Sequence, residues 1–266
     1  MALDKKISII IPTLDNVDYL KLAVDTIRKH TVSPYEILVY ANEMSVKMKE
    51  YVRTANLDVF LHSDHNEGVA KPANELVKES TGDIIFYAGD DLYLAPEWDV
   101  PLINALNDKI FYQYLTGCMF EPLYSNPCMN APINYGRSPK DFQEDLFLRE
   151  WKEKRRIKED IISPWGPIFI TKDLWNCIGG FDEGYFPGFG TDPDIIAKIY
   201  FAAIREGKPY EFRGVANAGM YHFQCITTDK LPDNELLRMQ AKIRFISKWN
   251  MEPTQLYKLI GTGGKI

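Results

Sequence analysis

Ile84-Ile85-Phe86-Tyr87-Ala88-Gly89-Asp90-Asp91-Leu92 carries an apolar run straight onto two adjacent carboxylates. Gly82 and Asp83 punctuate its start, so residues 83–87 read as a strand, and an unbroken apolar strand suits burial on both faces of a parallel sheet. The same grammar repeats upstream. Residues 7–11 (Ile-Ser-Ile-Ile-Ile) form a first strand, closed by Pro12 and Thr13. Asp15 or Asn16 can cap a following helix, in which Val17, Leu20, Val24 and Ile27 keep helical spacing. Residues 36–40 and 57–61 are further strands; 46–54 and 72–79 are helices. Four strands alternating with three helices predict right-handed βαβ crossovers and a mainly parallel α/β sheet flanked by helices. Ligands of such sheets bind beyond the carboxyl ends of the strands, so the informative loops follow Ile11, Tyr40, Leu61 and Tyr87.

Downstream the pattern loosens. Residues 110–119 and 168–170 predict strands, and 139–158, 172–177, 192–206 and 233–249 predict helices. Residues 121–139, rich in Pro and Asn without periodicity, predict a loop or lid. The final helix, with Leu236, Leu237, Ile243, Phe245 and Ile246, can pack back on the domain or meet another subunit. At 266 residues the chain suits one α/β domain. We divide it into a first stretch (1–98), a second stretch (99–225) and a C-terminal helical segment (226–266).

A net charge of -6, from 31 basic and 37 acidic residues, argues against coating nucleic acid through bulk charge. Cys118, Cys128, Cys177 and Cys225 form no close CxxC pair, which points to reduced thiols and not to a zinc site or disulfide framework. The apolar run at 7–11 is too short for a signal peptide, and no stretch approaches the roughly 20 apolar residues that span a bilayer. These features predict a cytoplasmic protein with no transmembrane segment.

Three places can carry chemistry. Asp90 and Asp91 repel each other unless a cation or hydrogen-bond donors compensate; hard cations such as Mg2+ or Mn2+ favour such oxygen ligands, although Gly-Asp-Asp is also ordinary turn chemistry. Gly188-Phe189-Gly190-Thr191-Asp192-Pro193-Asp194 can present a carboxylate as a general base. Equally, Thr191 or Asp192 can be an N-cap with Pro193 opening the helix, and Asp194 can favour its dipole. His222 lies between Tyr221 and Phe223 and reads either as a packed histidine or as a ligand.

Taken together these segments resemble the family 2 glycosyltransferases of the GT-A fold. Five blocks match in order: Ser8 to Thr13; Asn66-Glu67-Gly68 with Asn74 and Ser80 to Asp83; Phe86 to Asp91 with Pro96-Glu97-Trp98; Trp165 to Ile170 with Gly179-Gly180-Phe181-Asp182-Glu183; and Thr191 to Asp194. The resemblance implies that Asp91 is the principal metal ligand, with Mn2+ or Mg2+ as cofactor, and that Asp192 is the catalytic base. His222 stands where related enzymes often place an additional metal ligand. Thr13, Asp15, Asn42, Asn66, Lys71 and Asp90 become candidate contacts to a nucleotide-sugar donor, with a UDP-sugar favoured; Trp165, Phe189 and Asp194, with Phe186 near by, fall on the acceptor side.

Two positions depart from the family pattern. Gly89 replaces the first DXD carboxylate, and Ala41-Asn42-Glu43 replaces aspartates that commonly read the base. The implied reaction is inverting displacement at the anomeric carbon. Its acceptor is a glycan, a lipid-linked sugar or a nucleic-acid base; the basic run Arg149 to Arg156, otherwise a solvated helix face, bears on the last. Two rivals are a sugar nucleotidyltransferase, disfavoured by the glycine-free acidic loop 12–16, and a binding module that kept the fold and lost catalysis.

Overall fold

A computed structural model describes residues 4–123, 130–155, 167–224 and 232–261. Strands β1 (Ile7–Leu14), β2 (Tyr35–Asn42), β3 (Val59–Ser63) and β4 (Ile84–Tyr87) lie parallel in the order β3-β2-β1-β4. Successive side chains of a strand point to opposite faces, and β1 feeds both layers. Ile10 joins Leu38, Ala73 and Leu76 on one side, whereas Ile9 and Ile11 join Leu20, Val24 and Ile27 on the other. Each fully buried isoleucine contributes about 1.5–3 kcal/mol, which is why the run contains no polar position beyond Ser8. That hydroxyl is buried but donates to Glu36 at 2.5 Å.

The first layer of helices is α1 (Val17–His30), α2 (Val46–Val52) and α4 (Asp99–Ala105). The opposite layer holds α3 (Ala70–Glu79), α6 (Lys172–Cys177), α7 (Thr191–Glu206), α8 (Asn234–Trp249) and α9 (Pro253–Gly261). The second half extends the same sheet with β5 (Leu92–Leu94), β6 (Tyr112–Glu121), β7 (Asn130–Pro132), β8 (Ile168–Thr171) and β9 (Tyr210–His222), giving β3-β2-β1-β4-β8-β6-β9-β5 with β7 on β6. Here β8 is antiparallel to β4 and β6, and β5 antiparallel to β9, while β6 and β9 are parallel. The sheet is thus parallel in its first half and mixed beyond it. An aromatic cluster under α5 (Glu144–Lys154), built from Tyr93, Phe120, Tyr135, Phe147, Trp151, Tyr221 and Phe223, supports the far end.

Several expected boundaries move for identifiable reasons. β1 does not stop at Pro12 but pairs with β2 to Leu14, because β4 accompanies it only as far as Ile10 and a proline is tolerated where one side of a strand is free. The helix expected at 139–158 starts at Glu144: Asp141 accepts from the backbone N–H of Arg137 at 3.0 Å and also bonds Ser138, holding a turn before it. The loop expected from residue 121 begins after β6, whose last residue is Glu121. Thr191 and Asp192 do not cap α7; the N-cap is Gly190 at φ 91°. The final helix packs back on the domain through Ala241 and Phe245, leaving Leu236, Met239 and Ile243 outward. Among the described residues no helix is long and apolar enough to cross a membrane. Cys118 and Cys177 are free thiols; Cys128 and Cys225 lie outside the described residues.

Candidate active site

Asp90 and Asp91 sit where β4 ends and β5 begins, and the sheet brings them their partners. β5 pairs antiparallel with the end of β9, setting Leu92 opposite His222. The backbone N–H of Phe223 donates to the carbonyl of Asp91 at 3.0 Å, and His222 Nε2 stands 3.3 Å from Asp91 Oδ2. On its other side β9 runs parallel to β6 with Phe120 beside Tyr221, so the next residue, Glu121, reaches His222 Nδ1 through Oε1 at 2.8 Å. Burial alone would push the imidazole toward neutrality; the carboxylates of Asp91 and Glu121 overcome it and hold His222 well above the ordinary histidine range.

This alignment depends on a bulge. Gly117 pairs with Val215 but Cys118 with Gly219, so residues 216–218 are extra on β9. Gly117 faces that bulge closely: a Cβ there would lie 2.6 Å from the Ala218 carbonyl and from Met220 Cε.

Asp192 occupies the first turn of α7. The turn before it needs glycine twice, since Gly188 (φ 152°) packs on Val69 and Gly190 (φ 91°) on the Tyr185 ring. Asp192 is half-buried; burial pushes its carboxyl up to about 7, and the nearby His222 charge opposes that only in part. Tyr87, at the end of β4, is raised far above the phenol range by burial and then by Asp192, Asp90 and Asp91. One ring feeling all three carboxylates puts them in a common electrostatic neighbourhood.

Each donor-side candidate already has a partner within the protein. Asp90 is buried, accepting from Thr13 Oγ1 at 2.5 Å and Asn16 Nδ2 at 3.1 Å, so it knots the end of β1 and the start of α1 to the β4 loop. Asp15, at φ 51°, accepts from the Ser45 hydroxyl. Asn42 is buried and its amide is committed: Nδ2 donates to the Gly68 carbonyl at 2.8 Å, and Oδ1 accepts from the Glu67 N–H at 2.9 Å. In this arrangement it shapes the 66–69 loop. Asn66 Oδ1 accepts from the Gly68 N–H at 2.8 Å, and Lys71 pairs with Glu67. The loop is fastened to the acceptor side where the Val69 N–H donates to the Pro187 carbonyl at 3.0 Å.

Across the cleft Phe189 is half-buried beneath Arg238, whose guanidinium carbon lies 4.2 Å from the ring centroid. Trp165 lies outside the described residues. Asp194 departs from its expected acceptor role. It is 1% exposed, accepts from Trp249 Nε1 at 2.8 Å and pairs with Lys248 at 2.8 Å, so it anchors α8 to α7. Glu121, Asn16 and Tyr87 are site residues that local sequence does not flag; all three come from strand or helix ends that only sheet register brings together.

Among the described residues no cluster of three or more His, Cys, Asp or Glu forms a ready metal cage. The pair Asp91 and His222 nevertheless fits a divalent cation. An oxygen and a ring nitrogen converge, and the other ring nitrogen is engaged by a carboxylate, the arrangement that makes Nε2, here paired with Asp91, the atom that would ligate on losing its proton. Two protein ligands leave positions for diphosphate oxygens and water, as Mg2+ and Mn2+ prefer.

A parallel nucleotide-binding sheet, a mixed acceptor-side extension and acidic residues at the seam define a glycosyltransferase fold of the GT-A type. Residues 8–153 match glycosyl transferase family 2, and the chain belongs to that family. No curated protein matches it by sequence. Among solved structures it is similar to TarS of S. aureus (TM-score 0.57, 14% identity, covering 94% of this chain and 41% of that one). It is also similar to GalNAc-T7 with UDP, GalNAc and Mn2+ (TM-score 0.64, 16% identity, 94% and 49%). A third likeness is to the mannosyltransferase PcManGT of Pyrobaculum calidifontis with GDP-Man and Mn2+ (TM-score 0.58, 15% identity, 98% and 69%). The chain thus spans only about two fifths to seven tenths of these proteins' lengths.

Proposed function

We propose that this chain transfers a sugar from a nucleotide-sugar donor to an acceptor hydroxyl, with inversion and with Mn2+ or Mg2+ as cofactor. The observation that carries the reading is the pairing of Asp91 with His222 at 3.3 Å where β5 meets β9, with the half-buried Asp192 of α7 near enough to feel the His222 charge, in a family 2 chain. Asp91 and His222 would hold the cation, which when bound supplies charge stabilisation to the departing diphosphate. Thr13, Asp15, Asn66 and Lys71 line the donor side, and Asp90 and Asn42 keep the loops that form it in place. The bond between the anomeric carbon and the diphosphate oxygen breaks, its electron pair leaving with the nucleotide. The acceptor oxygen bonds the same carbon from the opposite face, and its proton passes to Asp192. A carboxyl near 7 suits that task at neutral pH, because a base is most effective close to the working pH.

Mn2+ complexes with UDP or GDP-Man among the similar structures support a nucleotide diphosphate donor, with a UDP-sugar favoured. Phe189 and Trp165, as aromatic residues, are the candidates for packing on a carbohydrate acceptor. A hexosyl or pentosyl donor, and the cytoplasmic placement suggested by the unpaired cysteines, belong to the same reading. The test is a screen of nucleotide sugars with and without Mn2+, scoring thermal stabilisation and donor hydrolysis in the parent and in Asp91→Ala. Metal-dependent stabilisation by one donor, lost in the variant, is the expected result. Stabilisation by no donor would overturn the reading in favour of a fold that has lost catalysis.

A further inference from the structure

We propose that Glu121 is a positioning residue: it sets the ring orientation and proton placement of His222 so that Nε2 faces the cation held with Asp91. The inference rests on the metal-assisted reading above and goes beyond it, since Glu121 belongs to none of the motif blocks. Its carboxylate is 4% exposed and meets Nδ1 at 2.8 Å. With Nδ1–H donated to that carboxylate, Nε2 is the atom that faces Asp91 and the one that would offer a lone pair once a cation displaces its proton.

The placement is rigid. Phe120 and Tyr221, the neighbours preceding each partner, pack in the aromatic cluster against Phe147. Tyr221 donates its hydroxyl to the Gly136 carbonyl at 2.5 Å and accepts from the Tyr135 N–H at 3.1 Å. One step further along, the Leu123 N–H donates to Gln224 Oε1 at 3.1 Å. The two strand ends are therefore stitched on both sides of the Glu121–His222 pair, and the bulge at residues 216–218 gives that pair its register. A carboxylate needed only to fasten β6 to β9 would be redundant between these links, and it would have no reason to engage the one ring nitrogen that leaves the other aimed at Asp91.

The experiment is a titration of Mn2+ alone, followed by electron paramagnetic resonance, on the parent, Asp91→Ala, Glu121→Gln and Glu121→Ala. The Gln variant keeps an acceptor oxygen without the charge; the Ala variant removes both. Loss of a carboxylate behind a ligating histidine weakens metal binding about 10–100-fold. That loss is expected for Glu121→Ala, with a smaller loss for Glu121→Gln and a weakened imidazole-nitrogen coupling on the bound Mn2+. Binding of Mn2+ by both Glu121 variants as tightly as by the parent, with the coupling intact, would overturn the inference while leaving the metal site standing. Parent and Asp91→Ala behaving alike would instead sink the metal-assisted reading itself. If Glu121→Ala does not fold, Glu121→Gln decides the matter, since it preserves shape and a hydrogen-bond acceptor.

Discussion

Asp192→Asn should make the protein more stable at neutral and alkaline pH while removing most of its turnover. Burial raises this carboxyl from its ordinary 3.8 to about 7, so the ionised form is penalised in the folded state. At full burial a shift of that size corresponds to about 4 kcal/mol; for a half-buried group, solvent screening leaves about 1–2 kcal/mol. The sign follows from linkage. Below 3.8 the group is protonated both folded and unfolded and costs nothing. As pH rises from 3.8 toward 7 the unfolded chain ionises first, so the penalty grows, and above 7 it is constant. The amide carries no charge and escapes the penalty. Thermal unfolding of parent and variant from pH 4 to pH 8 should therefore show coincident Tm values at the acid end, diverging by about 2–8 °C in the variant's favour at the alkaline end. Transfer should fall about 10²–10⁴-fold. A difference in Tm independent of pH would refute the buried-carboxylate account, and parental turnover in the variant would refute the base assignment.

Two further expectations concern groups outside the chemistry. Asp194→Asn should cost about 2–4 kcal/mol in urea unfolding, because it leaves Lys248 with Asp182 alone and weakens the α7–α8 tie; donor binding should be unchanged. Glu36 is buried, which would push it up, but Lys6, Ser8 and Thr81 overcome this and hold it down at about 2, against an ordinary 4.5. It contributes about 2–3 kcal/mol above pH 4.5 that disappears as pH falls toward 2, so Glu36→Gln should lower the parent's stability at pH 6 and flatten its acid limb.

The half of the fold that was legible in sequence was legible for one physical reason. Parallel strands buried on both faces leave unbroken apolar runs, and residues 7–11, 36–40 and 84–87 are such runs. The 13-residue β9 escaped notice because Glu211, Arg213, Asn217 and two glycines break its apolar run; other missed elements are short or disguised. β5 has only three residues. α4 carries Pro101 in its first turn, where a helix tolerates it but where it reads as a break. α9 likewise begins on Pro253. Asp91 and Asp192 could be marked because each stands in a recognisable local string. Asn42 and Asp194 show what a string leaves out, which is where a side chain points; here one shapes a loop and the other holds a helix. Glu121 had no local signal at all, since its meaning depends on a partner 101 residues away.

The bulge in β9 makes the site sensitive to length more than to composition. Residues 216–218 are a spacer in which Asn217 is exposed and can vary, whereas Ala216 and Ala218 are buried and admit only small side chains. The number of residues cannot vary. One residue more or fewer would carry His222 one place along β9 and turn it to the other face of the strand, leaving Asp91 and Glu121 without it. Substitution of the exposed Asn217 should be tolerated, whereas a single-residue insertion or deletion in the segment should abolish cation binding in a protein that still folds.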